Sequence, residues 1–193
     1  MSETEEKLVA EAAQGNLAAF NVLIERYQSS VYNLCLRLLA NREAAEDAAQ
    51  ESFLAAFRNL QRFRAGNFRA WLHRIAANTC YDELRRRKTR WTQPLAEPAS
   101  LSLASTGASP VEIAEAAELR KHLEAGLLTL PFDLRLAVVL RDVQGFSYEE
   151  VAAIMGVSLG TAKSRISRGR ERMRRFLLKQ GELLPERFRH INK

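Results

Sequence analysis

An arginine on one face of a helix can donate two parallel hydrogen bonds to a guanine edge, which discriminates between bases by roughly 1–3 kcal/mol. Arg168 stands in a stretch suited to that chemistry. Residues 160–180 hold eight Lys/Arg and a single acid, Glu171. At about 100° per residue, Ala162, Ile166, Gly169, Met173 and Phe176 fall on one side of a helix. Ser164, Ser167, Arg168, Glu171 and Arg175 fall opposite, with Thr161, Lys163, Arg165, Arg172 and Arg174 on the flanks. The first set predicts a core face. The second predicts a reading face, where small Ser164 and Ser167 permit close approach to bases. The flanking cations suit phosphates, which position a protein but carry no sequence code. The start of the helix, Ser158 to Thr161, offers backbone N–H groups to a further phosphate.

The elements that must position this face are legible just upstream. Ser147 and Glu150 have capping-box spacing, Gly156 suits a helix-ending turn, and Ser158 can cap the basic helix. Helix, turn and basic helix in that order form a helix-turn-helix whose second helix can enter a major groove.

A different chemistry is suggested near residue 65. Phe63, Arg64, Asn67, Phe68 and Trp71 cluster at a helix-loop-helix corner. Aromatics mixed with arginine can stack unpaired bases and hold their phosphates. An extruded base also needs an amide such as Asn78 for hydrogen bonds. Phe68 and Trp71 at helical spacing equally suit a core, and both readings stand from the residues alone.

The rest of the chain supplies helices. Asn16 can cap one carrying Leu17, Phe20, Ile24, Tyr27, Val31, Leu34 and Leu38 as an apolar stripe. A second is expected from about Arg42 to Leu60 with Phe53, Leu54, Phe57 and Leu60 inward, and a third carries Phe68, Trp71, Leu72, Ile75 and Leu84. Residues 89–110 contain Pro94, Pro98, Pro110, Gly107 and several Ser and read as a linker. Beyond them a helix is expected from Val111 to Leu128, and Pro131 opens another that ends near Gly145. The final helix spans Ser158 to about Lys179. No segment alternates at period two, so the expected class is all-α, with two small helical domains on a flexible linker.

Composition narrows the function classes. Nearly half of the 193 residues are hydrophobic, which excludes global disorder. The net charge is +6, but residues 1–50 hold four Lys/Arg against eight Asp/Glu. An acidic protein-binding end and basic patches at 85–90 and 160–180 fit a polyanionic ligand. No apolar run reaches the roughly 20 residues that span a bilayer, and the acidic start lacks a signal segment, so a cytoplasmic protein is expected. Cys35 and Cys80 lack metal-ligand spacing and read as reduced, buried thiols. His73, His122 and His190 are isolated, and no catalytic motif or phosphate-binding glycine loop occurs. His73 reads as a surface or boundary histidine, with a phosphate contact possible beside Arg74. No catalytic residue, metal or cofactor is expected.

The chain resembles the extracytoplasmic-function sigma factors of bacterial RNA polymerase. The resemblance runs from about residue 5 to 178. It is carried by Gly15-Asn16-Leu17-Ala18-Ala19-Phe20, Ala45-Glu46-Asp47-Ala48-Ala49-Gln50-Glu51-Ser52-Phe53, Phe68-Arg69-Ala70-Trp71-Leu72 and Arg74-Ile75-Ala76-Ala77-Asn78. Later come Leu130-Pro131, Gly145 through Ala152, and Gly160-Thr161-Ala162-Lys163-Ser164-Arg165. It implies sigma domain two over 1–90, a linker over 91–110, sigma domain four over 111–179 and an unassigned tail over 180–193. It implies that Asp47, Gln50, Glu51 and Phe53 bind core polymerase. Phe63, Arg64, Asn67, Phe68, Trp71 and Asn78 would open and read a minus-ten promoter element. Thr161, Lys163, Ser164, Arg165, Ser167, Arg168 and Arg172 would read a minus-thirty-five element as duplex. Few aromatics in the melting helix imply a restricted factor that needs a strict promoter. The implied partners are core RNA polymerase, promoter DNA and an anti-sigma factor, with a monomer when free and control in a stress or envelope response.

Two other classes account for less of the sequence. A dimeric helix-turn-helix repressor shares the basic helix but needs neither the Asp47-Gln50-Glu51-Phe53 surface nor the aromatic corner. An enzyme would need a catalytic constellation that the sequence lacks.

Overall fold

The computed structural model describes residues 3–63, 66–89 and 110–179; Arg64, most of the expected linker and the 180–193 tail lie outside the described residues. Every regular element described is helical. The first group is α1 (Glu3–Ala13), α2 (Leu17–Leu39), α3 (Arg42–Asn59), a 3₁₀ turn (Leu60–Arg62) and α4 (Phe68–Thr89). Asn16 starts α2 as expected: its side chain accepts from the N–H of Ala18 at 3.0 Å and of Ala19 at 3.2 Å. Asn41 caps α3 through the N–H of Ala44 at 2.8 Å. The α2–α3 crossing is close because α3 presents Ala44, Ala45, Ala48, Ala49, Ser52 and Ala56 to it. Leu23, Leu34, Leu38, Leu60, Phe68 and Leu72 fill the center.

Three features differ from the sequence reading. Helix α1 was not expected. Leu8, Val9, Ala12 and Ala13 pack inward from it, and buried Glu5 accepts the Tyr27 hydroxyl at 2.5 Å and pairs with Arg26 at 3.2 Å. Burial and the Glu5 carboxylate push the Tyr27 phenol up to about 12. Leu17 and Leu54, expected inward, are 61% and 51% exposed. Leu17 is the first residue of α2, and Leu54 lies two positions past buried Ser52 and one past half-buried Phe53 on α3.

The second group is α5 (Pro110–Leu128), α6 (Phe132–Val138), a π-helical turn (Val139–Val143), α7 (Tyr148–Met155) and α8 (Leu159–Lys179). The helix expected to continue to Gly145 widens instead, so that Gln144 N–H bonds the Val139 carbonyl at 2.9 Å. The capping box forms, with Ser147 Oγ accepting from Glu150 N–H at 3.1 Å and Glu150 accepting from Ser147 N–H at 2.7 Å. Gly156 ends α7 at φ +64°, a conformation that disfavors other residues. Gly169 is the close point of the α6–α8 crossing, where an added Cβ would stand 2.5 Å from Val138 Cγ2 and 3.2 Å from the Leu134 carbonyl.

The two groups pack against each other. Arg135 reaches from α6 to the Leu38 carbonyl at the end of α2 (2.7 Å) while holding the carbonyls of Leu128 and Leu130, both at 3.0 Å. Burial pushes its guanidinium pKa below the ordinary value. Tyr81 of α4 meets Phe132 of α6, with ring centers 5.4 Å apart.

Candidate nucleic-acid interface

Helix α8 is built from its start. Ser158 Oγ accepts from the N–H of Thr161 at 3.2 Å, so one N–H reserved for phosphate in the sequence reading is occupied. Ala162, Ile166 and Gly169 are buried as the angular reading requires. Lys163, Ser164, Ser167, Arg168 and Arg172 are exposed, and Thr161 is half-buried. Lys163 lies 5.8 Å from the center of the Tyr148 ring. Among the described residues, Lys163, Arg168 and Arg172 have no ion-pair partner, and all three are exposed. Arg165 differs: Asp133 of α6 holds it at 2.9 Å, so it anchors α8 to the unit in this conformation. Arg170 is also engaged, by a two-pronged pair with Asp142 (3.0 and 2.5 Å) that raises its pKa, and Glu171 pairs with Arg174 and Arg175. The eight cations of this stretch thus divide into braced and free ones, a division that spacing does not reveal.

The aromatic corner is assembled by several elements. Phe63 follows the 3₁₀ turn and packs edge-on against Phe68 (5.7 Å between ring centers) and tilted against Trp71 (5.1 Å). Phe68 is 1% exposed and also touches Tyr27. Its expected contact with a base is therefore corrected: the ring is a buried support. Trp71 is half-buried and Asn78 exposed. Both line an open cleft of about 370 Å³ with Asn59, Arg62, Ile75 and Asp82. Asn59, Arg62 and Asp82 were missed by sequence reasoning. The 3₁₀ turn carries Arg62 there, and Asp82 lies one helical turn after Asn78. Asn67 caps α4 by accepting from Ala70 N–H at 3.0 Å, and its amide donates to Glu150 at 2.5 Å.

Along α3, Asp47, Gln50 and Glu51 are exposed and share an open groove of about 680 Å³ with α4 residues Thr79, Glu83 and Arg87. Glu51 pairs with Arg58 at 3.5 Å. Phe53 is half-buried against the core, and Leu54 is the apolar side chain that enters the groove. A mixed wall of carboxylates around an exposed leucine suits a protein surface rather than a small substrate.

Histidine 73 was not placed correctly by sequence. It is wholly buried between α2, α4 and the segment after the π-helical turn. Its Nε2 lies 2.8 Å from Ser30 Oγ, its Nδ1 2.8 Å from the Arg69 carbonyl, and its ring stands edge-on to Phe146 at 4.9 Å. Burial lowers its pKa to about 4, the Arg69 charge acting in the same direction against hydrogen bonds to the Arg69 backbone and Gln144. Cys35 and Cys80 are buried free thiols, and their mutual hydrogen bond and burial raise the Cys80 pKa. Among the described residues, no group of acids, histidines and cysteines could hold a metal ion.

Family models for sigma-70 region 2 and sigma-70 region 4 match residues 23–90 and 121–173. The chain belongs to the extracytoplasmic-function sigma factors. It is 39% identical over 166 residues to the ECF RNA polymerase sigma factor SigE of Mycolicibacterium smegmatis, covering 86% of this chain and 64% of that one. It is 37% identical to the RNA polymerase sigma-H factor of Pseudomonas aeruginosa, covering 88% and 91%. The solved structure of CnrH in complex with the cytosolic domain of CnrY is similar at TM-score 0.67 and 28% identity, covering 91% of this chain and 97% of that one. So is the Bartonella quintana sigma factor RpoE in complex with the anti-sigma factor NepR, at TM-score 0.68 and 28% identity over 82% and 96%. Sigma factors direct transcription initiation and are not enzymes. No helix among the described residues is long and apolar enough to cross a membrane.

Proposed function

We propose that this sigma factor divides promoter recognition between its two units and binds core RNA polymerase through α3. The observation that carries the reading is the matched pair of surfaces: unpaired cations on the exposed face of α8, and an open aromatic-amide cleft on α4. Lys163, Ser164, Ser167, Arg168 and Arg172 read the minus-thirty-five duplex, with Thr161 at the helix start. Arg165 joins them on release from Asp133. Phe63, Trp71 and Asn78 receive an unpaired minus-ten base, with Arg64 and Asn67 at the rim and Phe68 beneath. Asp47, Gln50 and Glu51 meet the polymerase, Phe53 shaping that wall. The division into 1–90, 91–110, 111–179 and 180–193 follows from this split of roles. Two similar structures were solved with a protein partner, one named an anti-sigma factor. An anti-sigma factor is accordingly the expected regulator here, in the cytoplasm and in a stress or envelope response.

The test is transcription of fragmented genomic DNA by bacterial core polymerase, with and without the protein, and mapping of RNA starts. Starts that appear only with the protein and share two spaced upstream elements are expected. Their absence, where a control sigma factor works, would refute the reading.

A further inference from the structure

The cleft between α3 and α4 has two chemically different ends. The helices run antiparallel from the corner at residues 60–67, so Arg62 and Trp71 stand at the corner end and Asp82 stands farthest along α4. Trp71, Ile75, Asn78 and Asp82 recur at spacings of four, three and four, which places them on one stripe of the helix. Asn78 and Asp82 are one turn apart, about 6 Å along the axis, within the width of a single base edge.

The polar groups of the cleft are not equally available. Asn59 donates its amide to the Ala55 carbonyl at 2.8 Å, and Thr79 donates its hydroxyl to the Ile75 carbonyl at 3.1 Å, so both are tied to their own helices. Arg62, Asn78 and Asp82 are exposed and have no side-chain partner among the described residues. Glu83, the only other acid of α4, is by contrast held by Arg86 at 3.7 Å and Arg87 at 2.8 Å. An unpaired carboxylate is the wrong charge for a cleft that receives DNA, unless it meets a donor. A carboxylate accepts hydrogen bonds and donates none. Adenine, cytosine and guanine carry an exocyclic amine, whereas thymine presents carbonyl oxygens instead. Facing one acceptor with another leaves both unsatisfied.

Resting on the promoter reading above, we propose that Asp82 is a specificity-determining residue of the minus-ten cleft: its carboxylate admits a base with an exocyclic amine and excludes thymine. A base seated beyond Trp71, over Ile75, turns its edge to Asn78 and Asp82. Its amine donates to Asp82, and the Asn78 amide donates to a ring nitrogen or carbonyl beside that amine. Arg62, at the opposite end, holds the phosphate.

The test uses holoenzyme assembled from core polymerase and the full chain, as wild type, Asp82→Asn or Asp82→Glu. The probe is a promoter found by the transcription assay, with each nontemplate-strand position of its minus-ten element changed to all four bases. Wild type should favor amine-bearing bases over thymine at one position by about tenfold or more in transcript yield. Asp82→Asn, whose amide can donate to a carbonyl, should admit thymine there to within about threefold and leave the other positions unchanged. Asp82→Glu should keep the exclusion. Thymine accepted equally at every position by wild type would overturn the proposal, and so would an Asp82→Asn profile identical to wild type. A uniform gain for all four bases would overturn it too, as the mark of a repulsive charge and nothing more. Loss of the exclusion in both variants would mark a general disturbance of the cleft and overturn it as well. Absence of any start dependent on the protein removes the promoter reading and this proposal together, whereas a selective promoter indifferent to Asp82 strikes this proposal alone.

Discussion

The two surfaces proposed to meet DNA would face different problems, and their construction differs. A helix that reads a duplex from outside, the role proposed for α8, needs only one face. Its support is the buried Ala162–Ile166–Gly169 edge and the cap at Ser158. Holding a base removed from its stack, the role proposed for the α4 corner, needs a cleft. That cleft takes residues from α3, the 3₁₀ turn and α4, with buried Phe68 underneath. The outward surface is organized locally. The cleft exists only when several helices are packed.

This contrast can be broken most forcefully at Phe68. Phe68→Ala removes a ring in contact with Tyr27, Phe63 and Trp71. It should cost about 3–5 kcal/mol of stability in urea unfolding. Minus-ten function should fall with it. A loss below about 1 kcal/mol would show that the corner does not depend on packing.

A smaller effect concerns where the surfaces meet. His73 faces Ser30 from α2, Arg69 on its own helix, and Gln144 and Phe146 from the second unit; of these only Arg69 is charged. Its pKa is about 4 in the folded chain against an ordinary 6.5. The unfolded chain therefore takes up the proton first, and stability is lost as pH falls through 6.5 toward 4. Between pH 7.5 and 5 the loss should be about 2 kcal/mol, read by urea unfolding. His73→Gln should flatten the profile. A wild-type profile equally flat would show that burial does not hold His73 neutral.

The smallest effect sharpens the other side. Arg168→Ala should leave stability and core binding unchanged, because the residue is exposed and has no ion pair among the described residues. It should reduce discrimination at one minus-thirty-five base pair by about 1–3 kcal/mol in competition binding. A drop in core affinity would contradict the separation of roles.

Legibility followed the range of the interactions involved. Caps at Asn16, Ser147 and Ser158 join groups within three residues, so sequence spacing reveals them. The α8 core edge is likewise a matter of angle. Helix α1 was overlooked although Leu8, Val9, Ala12 and Ala13 carry its apolar period, because its anchor, Glu5 on Tyr27, is a long-range contact. Leu54 was misplaced because periodicity continues past the edge of a buried stripe, whereas packing stops where the neighboring helix stops.

By itself the sequence determined the all-helical class, the helix-turn-helix, the face of α8 that carries its cations and the family. These depend on local periodicity, capping and residue order. Tertiary structure alone decided which cations are free, that Phe68 supports rather than contacts, which residues line the cleft, and that His73 lies sealed between the two units. Those outcomes depend on partners far apart in the chain, such as Arg165 with Asp133 or Ser30 with Gln144. No spacing rule encodes such partners, because their meeting is set by how whole helices cross.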